Sequence, residues 1–203
     1  MKNKIRACVF IFILCFSLCL SNVNAASLYG NYRFSRGVGN MYYYVDSSAS
    51  SYTSYINSAI DNWVDTGYGW NPIYLYPVAS SYATAMDFYL LTESQAIARY
   101  GSTRYKTTLA DTTYYLTNSA QIDMNSQNWF YTEIRLNSYS LNTVANQAAE
   151  FRTGEIKHEI GHALGLYDQN TNPYSIMCGL LTAGRVVQNV DQTSHNAINA
   201  MYN

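Results

Sequence analysis

The sequence has few cysteines and few charges, and each shortage excludes a class of protein. Outside an apolar N-terminal segment only one cysteine remains, Cys178. Residues 26–203 can therefore form no intramolecular disulfide, although small secreted domains often need such links. Their stability must come from an apolar core, from a bound metal, or from both.

Charged residues make up only 12% of the chain. All 13 acidic residues lie within residues 26–203, whereas three of the 12 basic residues lie before them, which leaves that part with a net charge of −4. Binding to nucleic acid relies on clustered Lys and Arg. We therefore expect no nucleic-acid partner.

No apolar stretch is long enough for a stable membrane span. Residues 7–20 form an apolar run of 14 residues with a single Ser, whereas a spanning helix needs about 20. Three basic residues precede the run, and residues 23–25 (Val-Asn-Ala) offer a cleavage site after it. This pattern is typical of a signal peptide. It predicts removal of residues 1–25 and secretion to the extracellular space, with no stable membrane insertion afterwards.

Residues 26–203 contain no internal repeat and no long linker, so we expect one monomeric domain. Alternation and β-branched or aromatic content predict strands at residues 41–45, 73–76, 85–91, 112–117 and 131–137. Apolar residues at helical spacing predict helices at residues 52–64, 146–164 and 191–202. This order of elements predicts an α+β domain with one sheet covered by helices.

The most informative segment is His-Glu-Ile-Gly-His at residues 158–162. Residues four apart lie on one face of a helix, so His158 and His162 can both present a ring nitrogen to one Zn²⁺ ion. Glu159 lies about 100° around the helix from His158. It can reach a water on the metal without displacing a histidine, which is the position of a general base.

The residues that follow the motif strengthen this interpretation. Gly165 lies where the helix must end, and glycine accepts the positive φ that a sharp turn needs. Asp168 comes three residues later and is our candidate for the third ligand, although a role in the turn alone is the alternative. His195 is the other histidine that could complete the site. Its position near the start of the last predicted helix favours capping and solvation instead.

With Met177 nine residues after Asp168, the chain resembles the metzincin group of zinc metallopeptidases, in which a methionine-containing turn follows the extended zinc motif. Residues 159–166 and 175–177 resemble matrixin catalytic domains. Residues 133–137 and 197–202 are also similar to matrixin-like bacterial proteins. Most metzincins carry a third His where this chain has Asp168, and the variant with Asp resembles snapalysin-type bacterial proteases.

The resemblance implies a metzincin-like fold, with a twisted mixed sheet above an active-site helix and a C-terminal helix below. It implies one Zn²⁺ held by His158, His162 and Asp168, with Glu159 as the catalytic residue. Met177 would form a hydrophobic floor beneath the metal.

Two further expectations concern the cleft. Residues 112–117 are the candidate edge strand along it, and residues 179–185 are expected to form the wall that sets specificity. Gly179 stands where astacin-like and serralysin-like members have Tyr. Stabilisation of the oxyanion would therefore rest with zinc and Glu159.

The predicted function is hydrolysis of peptide bonds in protein or peptide substrates by a secreted zinc-dependent endopeptidase. The competing hypothesis is a secreted binding or surface-interaction protein that keeps the fold and the zinc without turnover. The 21 tyrosines and the sparse charge favour this second hypothesis. Glu159 argues against it, because a pure binding protein needs no base at that position.

The first prediction concerns export. Because a signal peptidase would cut after Ala25, we expect the exported protein to begin at or close to Ala26 and to lack the cysteines of the N-terminal segment. Mass spectrometry of the exported chain measures this directly. A mass that includes residues 1–25 would show a retained anchor instead.

Overall fold

A computed structural model describes residues 28–143 and 148–203, and the predicted signal peptide lies outside these residues. Six strands occur in the order β1 (Met41–Val45), β2 (Leu75–Val78), β3 (Met86–Leu91), β4 (Ala110–Tyr115), β5 (Gln121–Ile122) and β6 (Tyr131–Asn137). Six α-helices alternate with or follow them: α1 (Thr53–Val64), α2 (Glu93–Arg104), α3 (Ser138–Thr143), α4 (Ala149–Leu164), α5 (Leu180–Ala183) and α6 (Gln192–Tyr202).

The strands form one mixed sheet in the order β2-β1-β3-β6-β4-β5. The first four of these are mutually parallel, whereas β4 runs antiparallel to both β6 and β5. The α+β class predicted from the sequence is therefore confirmed, as is the mixed character of the sheet. In the described part of the chain, no helix has the length and apolar character needed to cross a membrane.

The two faces of the sheet have different surroundings. Side chains alternate along a strand, and the inward set, such as Met41, Tyr43 and Phe88, is buried in the apolar core with α1 and α4. Helix α2 lies against the opposite face, where Arg99 reaches Asp111 of β4. We call the face that contacts α1 and α4 the inner face, and the other the outer face.

Helix α4 is held at its C-terminal end by aromatic side chains from strand β4, helix α6 and the segment just before β6. The last carbonyls of a helix lack intrahelical donors. Here the carbonyl of His162 accepts from Tyr114 of β4 at 3.2 Å, that of Ala163 from buried Trp129 at 3.1 Å, and that of Leu164 from Tyr202 of α6 at 2.8 Å. Part of the unusual tyrosine content therefore fixes this helix in the core.

Most predicted elements are present, with boundaries shifted by a few residues. Strands β1 and β6 have the predicted bounds, whereas β4 begins two residues before residue 112. Helix α2 was missed because it buries only Ala96, so it carries almost no apolar stripe. Its start was readable, however, since Thr92 and Gln95 form a reciprocal capping box. The predicted start of α4 at residue 146 lies outside the described residues.

One buried carboxyl group makes stability depend on pH. Asp87 of β3 is only 4% exposed, and Thr84 Oγ1 donates to its Oδ1 at 2.6 Å. Burial, reinforced by the charge of Asp46, raises the pKa of Asp87 to about 6 against the effect of that hydrogen bond. Because the folded protein prefers the protonated form, the stability this preference contributes is present below about pH 4 and is lost as the pH rises through 6.

We therefore predict that Asp87→Asn, which removes the charge and keeps an acceptor for Thr84, raises the free energy of unfolding at pH 7.5. The expected gain is about 1 to 3 kcal/mol, from about 1.4 kcal/mol per pKa unit. It should shrink towards zero below pH 4. Urea unfolding at both pH values measures the effect. An equal change at both would show that the charge of Asp87 is not its cause.

Candidate metal centre

Helix α4 presents two histidines side by side at its C-terminal end. Because residues four apart share a face, the rings of His158 and His162 lie together, with their Nε2 atoms 3.1 Å apart. Each Nδ1 contacts a backbone carbonyl, that of Ile176 at 2.9 Å and that of Leu166 at 2.8 Å. With Nδ1–H donating to those carbonyls, both Nε2 lone pairs are free for a metal.

A left-handed turn brings the third candidate ligand to the same point. Gly165 ends the helix at φ 108°, as the sequence predicted, and its N–H bonds back to the last turn of α4. The chain then reverses, and Asp168 Oδ1 lies 3.4 Å from Nε2 of both His158 and His162. Within the described residues, these three side chains form the group whose ligand atoms are close enough together to hold one metal ion.

The spacing of these atoms suits a tetrahedral zinc site. Bonds of about 2.0–2.1 Å at tetrahedral angles place neighbouring ligand atoms about 3.3–3.4 Å apart. The three separations here are 3.1, 3.4 and 3.4 Å. Two imidazoles and one carboxylate are also a common ligand set for catalytic zinc, which leaves its fourth position open. The donor set and its geometry therefore fit Zn²⁺.

Glu159 lies next to this group but faces the sheet. Its side chain is buried, and Thr112 Oγ1 of β4 donates to its Oε2 at 2.7 Å. Burial raises the pKa of Glu159, and the nearby imidazoles and the Thr112 hydroxyl only partly counteract that effect. Sequence reasoning missed Thr112 as a site residue, because nothing local marks a strand threonine as the partner of a helix carboxylate.

The negative charges around the two imidazoles favour a positive charge at the centre of the group. Burial alone would lower the pKa of His162, but the hydrogen bond to Asp168 and the negative charges of Glu159 and Asp168 raise it to about 9. The imidazoles of His158 and His162 hold the pKa of Asp168 well below its usual range. At neutral pH the metal-free group thus retains a proton that a bound metal would displace.

The methionine turn packs directly beneath the helix. Met177 is fully buried, and its Sδ lies 2.3 Å from where a Cβ on Gly161 would stand. Any larger residue at position 161 would push the turn away, so the glycine inside the motif permits the close approach. Met177 is thus a packing residue, as the sequence indicated.

Arg185 anchors this turn to the helix. Its side chain is fully buried, donates through Nη1 to the carbonyls of Ile176 and Cys178 at 3.2 Å, and pairs through Nη2 with Glu155 of α4 at 2.9 Å. The Ile176 carbonyl also contacts His158 Nδ1. Arg185 and His158 therefore share the Ile176 carbonyl as a hydrogen-bond acceptor. The sequence placed Arg185 only in the expected cleft wall and did not indicate this role.

A cleft of about 670 Å³ opens over the group. Residues 109–114, which include most of β4, line one side, and Gly179, Leu180 and Leu181 line the other. Of the predicted edge strand at residues 112–117, only 112–114 line the cleft, and β5 lies beyond β4 in the sheet. Strand β5 pairs only with Tyr114 and Tyr115. The earlier part of β4 therefore has no strand on its outer edge among the described residues.

His195 lies apart from this group. Its Nδ1 is 2.8 Å from Thr66 Oγ1, and its Nε2 is 3.0 Å from Asn199 Nδ2. The expectation of a capping or solvated role was wrong. His195 is only 3% exposed, and Asp191 caps helix α6 instead, accepting from the N–H groups of Thr193 and Ser194.

Comparison with protein-family models and with curated proteins finds no match to this chain.

The geometry predicts different outcomes for two single substitutions. Asp168→Ala removes a ligand atom, so we expect zinc affinity to fall at least about 100-fold, beyond the 10- to 100-fold typical of an outer-shell partner. His195→Ala, the matched control, should keep about one zinc per chain. Zinc analysis after dialysis, with circular dichroism to verify folding, measures both. Loss of zinc in His195→Ala alone would show the ligand set to be wrong.

Proposed function

We propose that this protein is a secreted zinc-dependent endopeptidase of the metzincin type. The observation that carries the proposal is the meeting of His158, His162 and Asp168 at tetrahedral spacing, beside the buried carboxyl group of Glu159 and beneath an open cleft. The resemblance of residues 158–177 to the metzincins supports the same conclusion from the sequence. Secretion rests on the signal-peptide pattern of residues 1–25.

Zinc, when bound by these three side chains, supplies Lewis-acid chemistry that polarises a peptide carbonyl and makes water more acidic. The chain's own contribution begins with orientation. The carbonyls of Ile176 and Leu166 fix the planes of the two imidazoles. The turn that carries Ile176 is itself held at two points. Arg185 donates to the Ile176 carbonyl, and Asp191 accepts from the Ile176 N–H at 2.8 Å.

Glu159 is placed to move the proton of the attacking water. Thr112 holds its Oε2, and Oε1 has no hydrogen-bond partner among the described residues. A carboxylate whose pKa is raised by burial is a stronger base than an exposed one, and a base works best when its pKa approaches the working pH. The same carboxyl group can then deliver the proton to the leaving amine.

Strand β4 offers a surface for an extended substrate. Its edge from Ala110 to Thr113 lies along the cleft, and no strand among the described residues pairs with it on that side. An extended peptide can add to such an edge as a further strand. Because Thr112 belongs to this strand and also holds Glu159, a peptide paired with it would lie next to the base. Residues 179–181 would close the opposite side.

We predict that Glu159→Gln keeps about one zinc per chain but lowers the cleavage of casein or gelatin by at least about 100-fold, the usual scale for loss of a general base. The amide still accepts from Thr112 but cannot take a proton. Glu150→Gln, at an exposed position in the first turn of the same helix, is the control and should retain wild-type turnover.

A chelator should abolish the activity of the wild-type protein, and added zinc should restore it. Cleavage by Glu159→Gln at the wild-type rate would refute the assignment of the base. A zinc-loaded wild-type protein that cleaves neither substrate would favour the competing hypothesis of a binding protein without turnover.

A further inference from the structure

The chain between helix α2 and strand β4 is fixed at the rim of the cleft. Gly101 has φ 84° and ψ 162°, which kinks the end of α2 in a conformation that only glycine adopts readily. The N–H of Thr108 then donates to the carbonyl of Arg104 at 2.9 Å. Buried Asn137 of β6 donates to the carbonyls of Tyr105 and Thr108, both at 2.7 Å. The backbone that carries Arg104 is therefore held in place beside the start of β4.

A side pocket of about 470 Å³ opens between the end of α2 and the start of β4. It is lined by Arg99, Tyr100, Arg104, Thr108, Ala110 and Asp111. All of these except Tyr100 also line the cleft over the metal centre. The two spaces therefore adjoin, and we call the smaller one the Arg104 pocket.

The Arg104 pocket has an excess of one positive charge. Arg99 pairs with Asp111 through Nε and Nη2, and the Tyr100 hydroxyl donates to the same carboxylate. The side chain of Arg104 is exposed, and its guanidinium has no hydrogen-bond or ion-pair partner among the described residues. Its donors are thus available to an anionic group that enters the pocket from the cleft.

The opposite end of the cleft carries the reverse charge. Strand β5 pairs with the end of β4, and Asp123, which directly follows β5, lines the cleft without a cation partner among the described residues. The other carboxylates are accounted for: Glu155 pairs with Arg185, and Glu159 and Asp168 belong to the metal centre. The cleft is therefore polarised along β4, positive at the start of the strand and negative beyond its end.

A peptide extended along β4 would reach the Arg104 pocket at a defined distance from the reacting bond. Thr112 holds Glu159, so the substrate residue level with Thr112 lies next to the base. Ala110 and Thr108, which line the pocket, precede Thr112 by two and four positions. Extended chains rise equally, by about 3.4 Å per residue. The substrate side chain at the pocket therefore belongs to a residue two to four positions from the bond.

We propose that the Arg104 pocket binds a carboxylate of the substrate, so that the protein prefers peptides with Asp or Glu two to four residues from the cleaved bond. The planar guanidinium presents a fork of donors that matches a carboxylate. Because Asp123 repels an acidic residue at the other end, the preference is confined to the side of the bond that faces the start of β4. The inference rests on the proposed peptidase function, which supplies the peptide, but uses none of the catalytic residues.

The test uses peptides with blocked termini whose one charged position holds Glu, Gln or Lys. Their Kd is measured calorimetrically with zinc-loaded mature Glu159→Gln, and their cleavage site and kcat/KM with the wild type. We expect Glu to exceed Gln at least about threefold in affinity and in kcat/KM, the scale of an exposed ion pair, and Lys to be poorest. Arg104→Glu, combined with Glu159→Gln for the binding measurement, should reverse the order of Glu and Lys.

Lys106→Glu is the matched control, because it makes the same change of charge two residues away. The Lys106 ammonium lies over the Tyr105 ring, 5.8 Å from its centroid, and Lys106 does not line the pocket. This variant should keep the wild-type order of Glu, Gln and Lys. A Gln peptide with a free C-terminus at the pocket position tests the second source of a carboxylate. Tighter binding of that peptide would support the pocket and extend its ligand to a chain end.

Failure of this inference is distinguishable from failure of the proposed function. Equal Kd values for the Glu, Gln and Lys peptides, or no binding of any at millimolar concentration, would overturn the carboxylate pocket. So would a preference for Glu that survives in Arg104→Glu, with folding verified by circular dichroism. Cleavage without such a preference leaves the peptidase proposal standing. Selective binding of the Glu peptide without cleavage by the wild type would support the pocket and contradict turnover.

Discussion

The Nε2 atoms of His158 and His162 lie 3.1 Å apart, a separation at which two imidazole lone pairs repel each other unless a cation or proton lies between them. Holding this arrangement inside a fold costs free energy, because the groups are largely removed from water. Much of the surrounding structure offsets that cost. Backbone carbonyls orient both rings, and the carboxylate of Asp168 balances their charge.

The support for this centre comes from parts of the chain that are far apart in sequence. Three aromatic side chains satisfy the last carbonyls of helix α4, and buried Arg185 joins the methionine turn to the same helix. Burying a charge is costly unless it is paired, and here a carboxylate and two carbonyls accept from the two Nη atoms of Arg185, whereas its buried Nε has no partner among the described residues. A domain without disulfides thus gains rigidity around its proposed site from hydrogen bonds and close packing.

Strand β4 makes a different set of contacts on each face of the sheet. Its inward residues, Thr112 and Tyr114, contact Glu159 and the end of helix α4. Its outward residue Tyr115 stacks on Tyr131 of β6. Because side chains alternate along a strand, one short element serves the cleft on one face and an aromatic surface on the other. The high tyrosine content is divided between these two sets of contacts.

The sequence by itself determined the features that depend on local periodicity. The spacing of His158 and His162 places both on one helical face, and Gly165 marks the turn that returns the chain towards Asp168, because these relations follow from backbone geometry over a few residues. The α+β class followed from the order of elements, whereas helix α2 was missed because it buries too little apolar surface to show a pattern.

Only the tertiary structure decided the contacts between distant residues. Thr112 meets Glu159 across 47 residues, Arg185 meets Glu155 across 30, and the sheet aligns Tyr115 with Tyr131. None of these pairings leaves a periodic trace in the sequence, because strand order and helix docking, not spacing along the chain, bring such side chains together.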